Sequence, residues 1–257
     1  MYNIQWLSLF HSCYLIHYVN IYGYNFMTIF QNLIGKTNLL TPLPDTIQIL
    51  PLSTEYYKAA AQLYSDVFIS DEPTTYLHAP DPSVFIRYAE IYVRSLIPKN
   101  LSFIALDSVT GDIIGFIFCL DLKSDISDEG EEMVRFLSHF HETVILIDEL
   151  EHRFLEIEEL SPGEALHIFQ IGVDKQYRRL KIGCSLIHTV VEHGKNLGFS
   201  KVIADCTSSA SLQVFSSCDF ELAGCIEYDT CCINGEHFFT GLDGGISLVV
   251  KNLVPLP

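Results

Sequence analysis

Apolar and polar positions along the chain follow two periods. Thr46-Ile47-Gln48-Ile49-Leu50 alternates every second residue, which predicts a first strand over 46–50, punctuated by Pro42, Pro44 and Pro51. Tyr57, Ala60, Ala61, Tyr64 and Phe68 recur at steps of three and four, the spacing of a helix face, with Thr54 as its expected N-cap. The polar run Ser70-Asp71-Glu72-Pro73 stops that helix, because proline disfavours helix in the residue before it. A second helix is predicted over 83–96, closed by Pro98. Strands at 102–106 and 113–119 flank Thr110-Gly111-Asp112, a hairpin signal. From 125 to 164 the chain turns strongly acidic. Met133, Leu137, Phe140, Val144, Ile147, Leu150, Phe154 and Ile157 nevertheless keep helical spacing there. That segment reads as one amphipathic helix, or two, with a solvated acidic face and an end at Pro162-Gly163.

The remaining pattern is strand, helix, strand. An apolar run predicts a strand over 166–173, then a polar turn over 174–181, then a helix over 182–197 through Ile182, Leu186, Ile187, Val190 and Val191. Gly198 is its natural stop. Strands at 201–205, at Phe220 and at 246–250 follow, with a short helix over 211–216 between the first two. This order implies a mixed α/β sheet with a parallel pair on either side of the helix that begins near Ile182.

Composition narrows the partners. The formal net charge is -17, from 32 acidic and 15 basic residues, which argues against nucleic acid or an anionic membrane as the main partner. With 49% hydrophobic residues the 257-residue chain has ample material for a packed core. Its eight cysteines form no C-x-x-C pair, and several lie inside apolar runs, so they read as reduced thiols of a cytoplasmic protein. Cys218, Cys225, Cys231, Cys232 and His237 fit no common zinc spacing, and no metal is expected. Residues 1–44 form a separate hydrophobic appendage. Its apolar runs are interrupted by Asn, His, Gln and Ser, and no Lys or Arg precedes Lys36, unlike a secretory signal. Met27 offers an alternative start, which would make the first 26 residues an artefact of gene annotation. The main domain is expected over 45–257, with the acidic helical insert at about 123–164.

The candidate chemistry lies in the turn before the helix at Ile182. A helix N-terminus offers unpaired N–H donors and about half a positive charge, so it binds phosphate readily. Arg178, Arg179 and Lys181 concentrate cations there in a chain with few basic residues, as a diphosphate would require. The run Val173-Asp174-Lys175-Gln176-Tyr177-Arg178-Arg179-Leu180-Lys181-Ile182-Gly183-Cys184-Ser185-Leu186 resembles the signature of the GNAT superfamily of N-acetyltransferases. Lys181 stands where that family's first motif glycine usually stands. The resemblance implies the acyl-CoA N-acyltransferase fold: a mostly antiparallel central sheet with a splayed parallel strand pair and flanking helices. It also implies that Arg178, Arg179, Leu180, Lys181, Ile182 and Gly183 hold the pyrophosphate of acetyl-CoA, while the backbone of Ile171 and Val173 bonds the pantetheine arm. Gly172, between them, is expected to mark a bulge.

Two further segments are similar to the arylalkylamine subgroup. Ser70-Asp71-Glu72-Pro73 looks like its Asp-Glu-Pro motif, which implies Glu72 as the general base that frees the amine for attack on the thioester. The run 207–220 resembles the segment beside the cofactor thiol and implies a catalytic role for Ser211. Phe215 stands where many members carry a thiolate-protonating Tyr, and Asp219 replaces a usual Gly. His167, on the strand before the turn, is an auxiliary base candidate ranked below Glu72. The expected activity is acetyl transfer from acetyl-CoA to a primary amine of a small molecule. The alternatives are acetylation of protein amino groups and a non-catalytic CoA-binding role.

Overall fold

The computed structural model describes residues 43–253, so the reading of residues 1–44 as an appendage falls almost wholly outside the described part. Seven strands form one sheet: β1 (Ile47–Pro51), β2 (Phe103–Asp107), β3 (Ile113–Asp121), β4 (Ala165–Val173), β5 (Lys201–Cys206), β6 (Glu221–Glu227) and β7 (Gly245–Asn252). Their order across the sheet is β1-β2-β3-β4-β5-β7-β6. The pair β4–β5 is parallel and the other pairs are antiparallel, matching the expected mixed sheet.

Among the described residues, seven α-helices flank the sheet: α1 (Tyr57–Asp71), α2 (Pro73–His78), α3 (Pro82–Leu96), α4 (Glu131–Ser138), α5 (His141–Phe154), α6 (Ile182–Leu197) and α7 (Ser209–Ser217). One face of the sheet is covered by α6 and α7, through Ile182, Leu186, Ile187, Val190 and Phe215. The other carries α1, α3 and α4, where Tyr64, Phe85 and Tyr92 pack on Phe116 and Phe118 of β3. Leu146 and Leu150 of α5 close the far half of that face against Ile203 and Leu248.

Two local expectations are corrected. Helix α1 begins at Tyr57 behind Tyr56, so Thr54 is not its cap. The polar turn 70–73 is a junction of one extended residue, Glu72, between α1 and the six-residue α2. The acidic segment takes the two-helix form of its expectation, with a short turn at His139 and Phe140 between the helices.

The parallel strand pair parts midway. Parallel pairing of β4 with β5 runs from Ala165↔Lys201 to Ile168↔Ala204 and then stops. From Phe169 onward β4 is bonded to β3 alone, and its other edge has no partner strand. The cause is a bulge: Phe118 faces Gln170 and Cys119 faces Ile168, leaving Phe169 as the extra residue. The bulge therefore sits at Phe169 and not at Gly172. Gly172 is needed for another reason, since a Cβ there would meet Phe116 Cζ at 2.4 Å.

Candidate active site

The loop between β4 and α6 is built to present amides. Arg179 and Lys181 both adopt left-handed backbone conformations, at φ 69° and φ 62°. Lys181 is the N-cap of α6, and its side chain makes no capping hydrogen bond. The first-turn N–H groups of α6 are thus left without a side-chain acceptor, the arrangement an anion would satisfy. Arg178 is held from outside the loop: its guanidinium bonds Asp71 and donates to the carbonyl of Val173 at 3.2 Å. Lys175 also reaches Asp71, at 2.7 Å. Hydrogen bonds from Lys175 and Arg178 outweigh partial burial and hold the Asp71 carboxyl below its usual value. The end of α1 is therefore tied to the loop by two ion pairs.

A cleft of about 720 Å3 opens between this loop, the parted strands and α7. Ile171, Gly172, Val173, Arg178, Arg179, Lys181, Ile182 and Gly183 line it, together with Glu72 and Ser211. Of the residues expected at the cofactor, Leu180 alone is not among the lining residues; its side chain is exposed. Val214 and Phe215 supply apolar wall from α7. Phe215 is buried and packs edge-on against Phe220 at 5.1 Å, so it acts as core as well as wall. Ser211 forms a capping box with Ser208, and its hydroxyl donates to the Ser208 carbonyl at 2.9 Å. Cys184, on the first turn of α6, also faces the cleft. A hydrogen bond from Cys218, helped by Ser217, His188 and Lys181, outweighs partial burial and brings its thiol down to about 5.

A second, smaller pocket of about 120 Å3 shares Phe68 and Glu72 with the cleft. Its walls are largely aromatic: Tyr64, Phe68, Phe85, Phe136, Phe140 and Phe169. The polar residues there include Glu72, Gln170, Asp205 and Thr207. Glu72 also serves as the N-cap of α2. Its oxygens accept from Thr74 N at 3.1 Å, Thr75 N at 2.6 Å and Thr74 Oγ1 at 2.9 Å. Gln170 is fixed by the hydroxyl of Tyr92.

Matches to known proteins accord with this geometry. The Acetyltransferase (GNAT) family profile covers residues 57–220, more than half of the chain. The chain belongs to the GNAT acetyltransferase family. Among solved structures, the mosquito arylalkylamine N-acetyltransferase like 5b superposes with a TM-score of 0.68 at 20% identity, covering 80% of this chain and 100% of that one. Arylalkylamine N-acetyltransferase 2 from Aedes aegypti gives 0.65 at 21% identity, over 81% of this chain and 99% of that one. The Drosophila melanogaster polyamine N-acetyltransferase gives 0.62 at 19%, over 80% and 100%. At such identities the likeness is one of fold. No curated protein matches the sequence.

Two residues that replace expected glycines, one in the signature and one in the 207–220 segment, both adopt left-handed backbone conformations. Lys181 holds φ 62° and Asp219 holds φ 61°. The loop has therefore retained the curvature that brings amides toward a ligand, at the strain of a side chain in the left-handed region. His167 is placed differently from expectation. It is 2% exposed and lines neither cavity, and its Nε2 bonds Asp205 Oδ2 at 2.8 Å. Asp205, absent from the sequence-derived candidates, is the residue between His167 and the aromatic pocket. Among the described residues no helix is long and apolar enough to cross a membrane, and the seven cysteines are all free.

Proposed function

We propose that this chain transfers an acetyl group from acetyl-CoA to the primary amine of a small molecule, by direct attack in a ternary complex. The observation that carries this reading is the meeting of two unlike cavities at Glu72: a cation-rimmed cleft at a helix N-terminus and an aromatic pocket. The cleft suits an acyl-CoA because uncapped α6 amides, Arg179 and Lys181 would meet its pyrophosphate, and the free edge of β4 over Phe169 to Val173 would meet its amide-bearing arm. The bound thioester supplies an activated acyl carbon. Everything else falls to side chains of this chain.

The acceptor reaches the site as an ammonium ion and must lose a proton before its lone pair can form the new C–N bond. Glu72 is the carboxylate common to both cavities and takes that proton, exchanging one of its contacts with Thr74 or Thr75 for it. As the C–S bond breaks, the sulfur needs a proton in turn. Phe215 has none to give, so the Ser211 hydroxyl, or water, is the donor on this side of the cleft. The aromatic walls suit an arylalkylamine, and the limited volume of about 120 Å3 favours a small molecule over a protein segment. Cavities of roughly 150 Å3 accept a benzene ring, so an aryl acceptor would also have to use the opening of the pocket toward the cleft at Glu72.

A thiol-release assay with acetyl-CoA against a panel of amines tests the proposal, run on the wild type and on Glu72→Gln. Turnover with a small amine and a fall of about 10²- to 10⁴-fold in Glu72→Gln are expected. Turnover unchanged in Glu72→Gln would overturn the base assignment. Absence of acetyl-CoA binding by calorimetry would overturn the cofactor assignment.

A further inference from the structure

Behind the aromatic pocket lies a buried chain of three ionisable side chains. His167 of β4 sits between Asp205 of β5, at 2.8 Å from Nε2, and Glu151 of α5, at 3.6 Å from Nδ1. Their side chains are 2%, 7% and 11% exposed. A metal is the first reading of such a trio. Here, however, the imidazole directs one ring nitrogen at each carboxylate, and one ion cannot bind both ends of a ring. The ring is hydrogen-bonded to Asp205 through Nε2, and the Glu151 carboxyl faces Nδ1 from 3.6 Å, beyond hydrogen-bond reach. Burial alone would push His167 down, but the charge and hydrogen bond of Asp205, with Glu151, hold it above the usual histidine value.

Two acceptors in this chain are unused, Glu151 Oε1 and Asp205 Oδ1, and of the two residues only Asp205 lines the pocket. Asp205 Oδ1 is buried and has no hydrogen-bond partner. A buried anionic oxygen without a donor is costly, and such a group in a functional pocket calls for one. Asp205 lines the aromatic pocket, as the first residue of β5 beyond its last pairing with β4. Only two carboxylates line that pocket among the described residues, Glu72 and Asp205. Glu72 already accepts from two backbone amides and a hydroxyl. Asp205 has the spare lone pairs.

We propose that Asp205 is the anchor for the acceptor: a primary alkylammonium enters the aromatic pocket and gives one N–H to this carboxylate, which His167 and Glu151 hold in place from behind. The proposal rests on the amine-acetylation reading and divides labour within it. Asp205 binds and orients the cationic nitrogen, and Glu72 removes its proton. The surrounding rings of Phe68 and Phe169 suit a cation as well as an apolar body.

The test uses 2-phenylethylamine and its uncharged analogue 2-phenylethanol as probes of the full chain. In Asp205→Asn the KM for the amine is expected to rise about 10- to 100-fold with a much smaller change in kcat, as loss of a charge-assisted hydrogen bond implies. Acetyl-CoA affinity by calorimetry should stay within twofold, and Asp205→Glu should recover part of the loss. Glu72→Gln should show the opposite split, with kcat falling more than KM rises. A second measurement needs no substitution in the pocket. In ¹⁵N-histidine protein, the His167 ring resonances, assigned with His167→Asn, should move when the amine is added and stay when the alcohol is added. An amine KM within twofold of wild type in folded Asp205→Asn, or His167 resonances that ignore the amine at saturation, would overturn the anchor. Failure of the wild type to bind or acetylate any amine would instead overturn the functional reading, and the anchor with it.

Discussion

Lys181 offers a direct measure of the strain stored in the loop before α6. Its backbone sits at φ 62° and ψ 17°, in the left-handed region where a Cβ crowds the following carbonyl. In an ordinary helix, alanine is more stable than glycine by about 0.5–1 kcal/mol, because glycine loses more freedom on folding. At position 181 the order should invert. Alanine keeps the Cβ and its strain of about 1–2 kcal/mol, while glycine sheds it and gives back the entropy difference. The balance is about 1 kcal/mol in favour of Lys181→Gly over Lys181→Ala. Because both variants lack the lysine ammonium, the comparison isolates the backbone. For a chain of 257 residues that difference corresponds to about 2–4 °C in melting temperature. Paired urea titrations and thermal scans of the two variants, without ligand, give the number. If Lys181→Ala is as stable as Lys181→Gly or more so, the loop does not hold the left-handed turn, and the argument that it keeps the family's curvature without glycine fails.

Glu72→Ala should cost about 0.5–2 kcal/mol of stability through loss of the α2 cap, whereas Glu72→Gln keeps an acceptor and should cost less, as denaturant midpoints would show. Gly172→Ala should cost about 1–3 kcal/mol, since the new Cβ meets the Phe116 ring at 2.4 Å, and calorimetric unfolding checks it. Cys184 should react with iodoacetamide near neutral pH, and acetyl-CoA should protect it while leaving the exposed Cys232 unprotected, as peptide mapping would reveal. Burial pushes the Glu151 carboxyl up to about 7 from 4.5, with His167 opposing and Asp205 adding to the rise. A carboxyl raised in the fold stabilises below its unfolded value and loses that contribution as pH rises through its folded one. Glu151→Gln should therefore gain on the wild type by about 1 to 3 kcal/mol between pH 4.5 and pH 7, and parallel stability curves would refute the assignment.

The architecture was legible in the sequence wherever hydrophobic periodicity ran long enough to register. The apolar stripe of α6 and the alternation in β1 are of this kind, and both were placed within a residue or two. Helix α2 was not legible, because six residues cannot show a period and Pro73 reads as a stop when it is in fact the first residue of a new helix. The bulge at Phe169 left no trace, since a bulge needs no glycine and the mostly apolar run 166–173 does not mark that position. Asp205 was missed because an acidic residue near the end of a strand passes for a solvated one. A signal was there. In Val202-Ile203-Ala204-Asp205-Cys206 the aspartate shares strand parity with Ile203, which is fully buried, so its face points into the protein. Glu151 lies beside Leu150, at a helical step from Ile147 and Phe154, and carried the same message.

Charge around the two cavities is sorted by sign. Four of the 15 basic residues in the chain, Lys175, Arg178, Arg179 and Lys181, fall within the seven positions 175–181, at the end of the cleft where a diphosphate would lie. The smaller pocket is lined by two carboxylates and no cationic side chain, and a third carboxylate stands behind it. In a protein of net charge -17 the surrounding field repels an anionic cofactor and draws a cationic amine, so the basic loop must act locally, over about one Debye length of 10 Å. Asp71 adjusts that local charge. By pairing with Lys175 and Arg178 it neutralises part of the loop and leaves Arg179 and Lys181 outside those pairs. The same aspartate ends α1 immediately before Glu72. An anion drawing Arg178 away from Asp71 would thus pull on the junction that holds Glu72, and so would link occupancy of the cleft to the geometry of the smaller pocket through two adjacent residues.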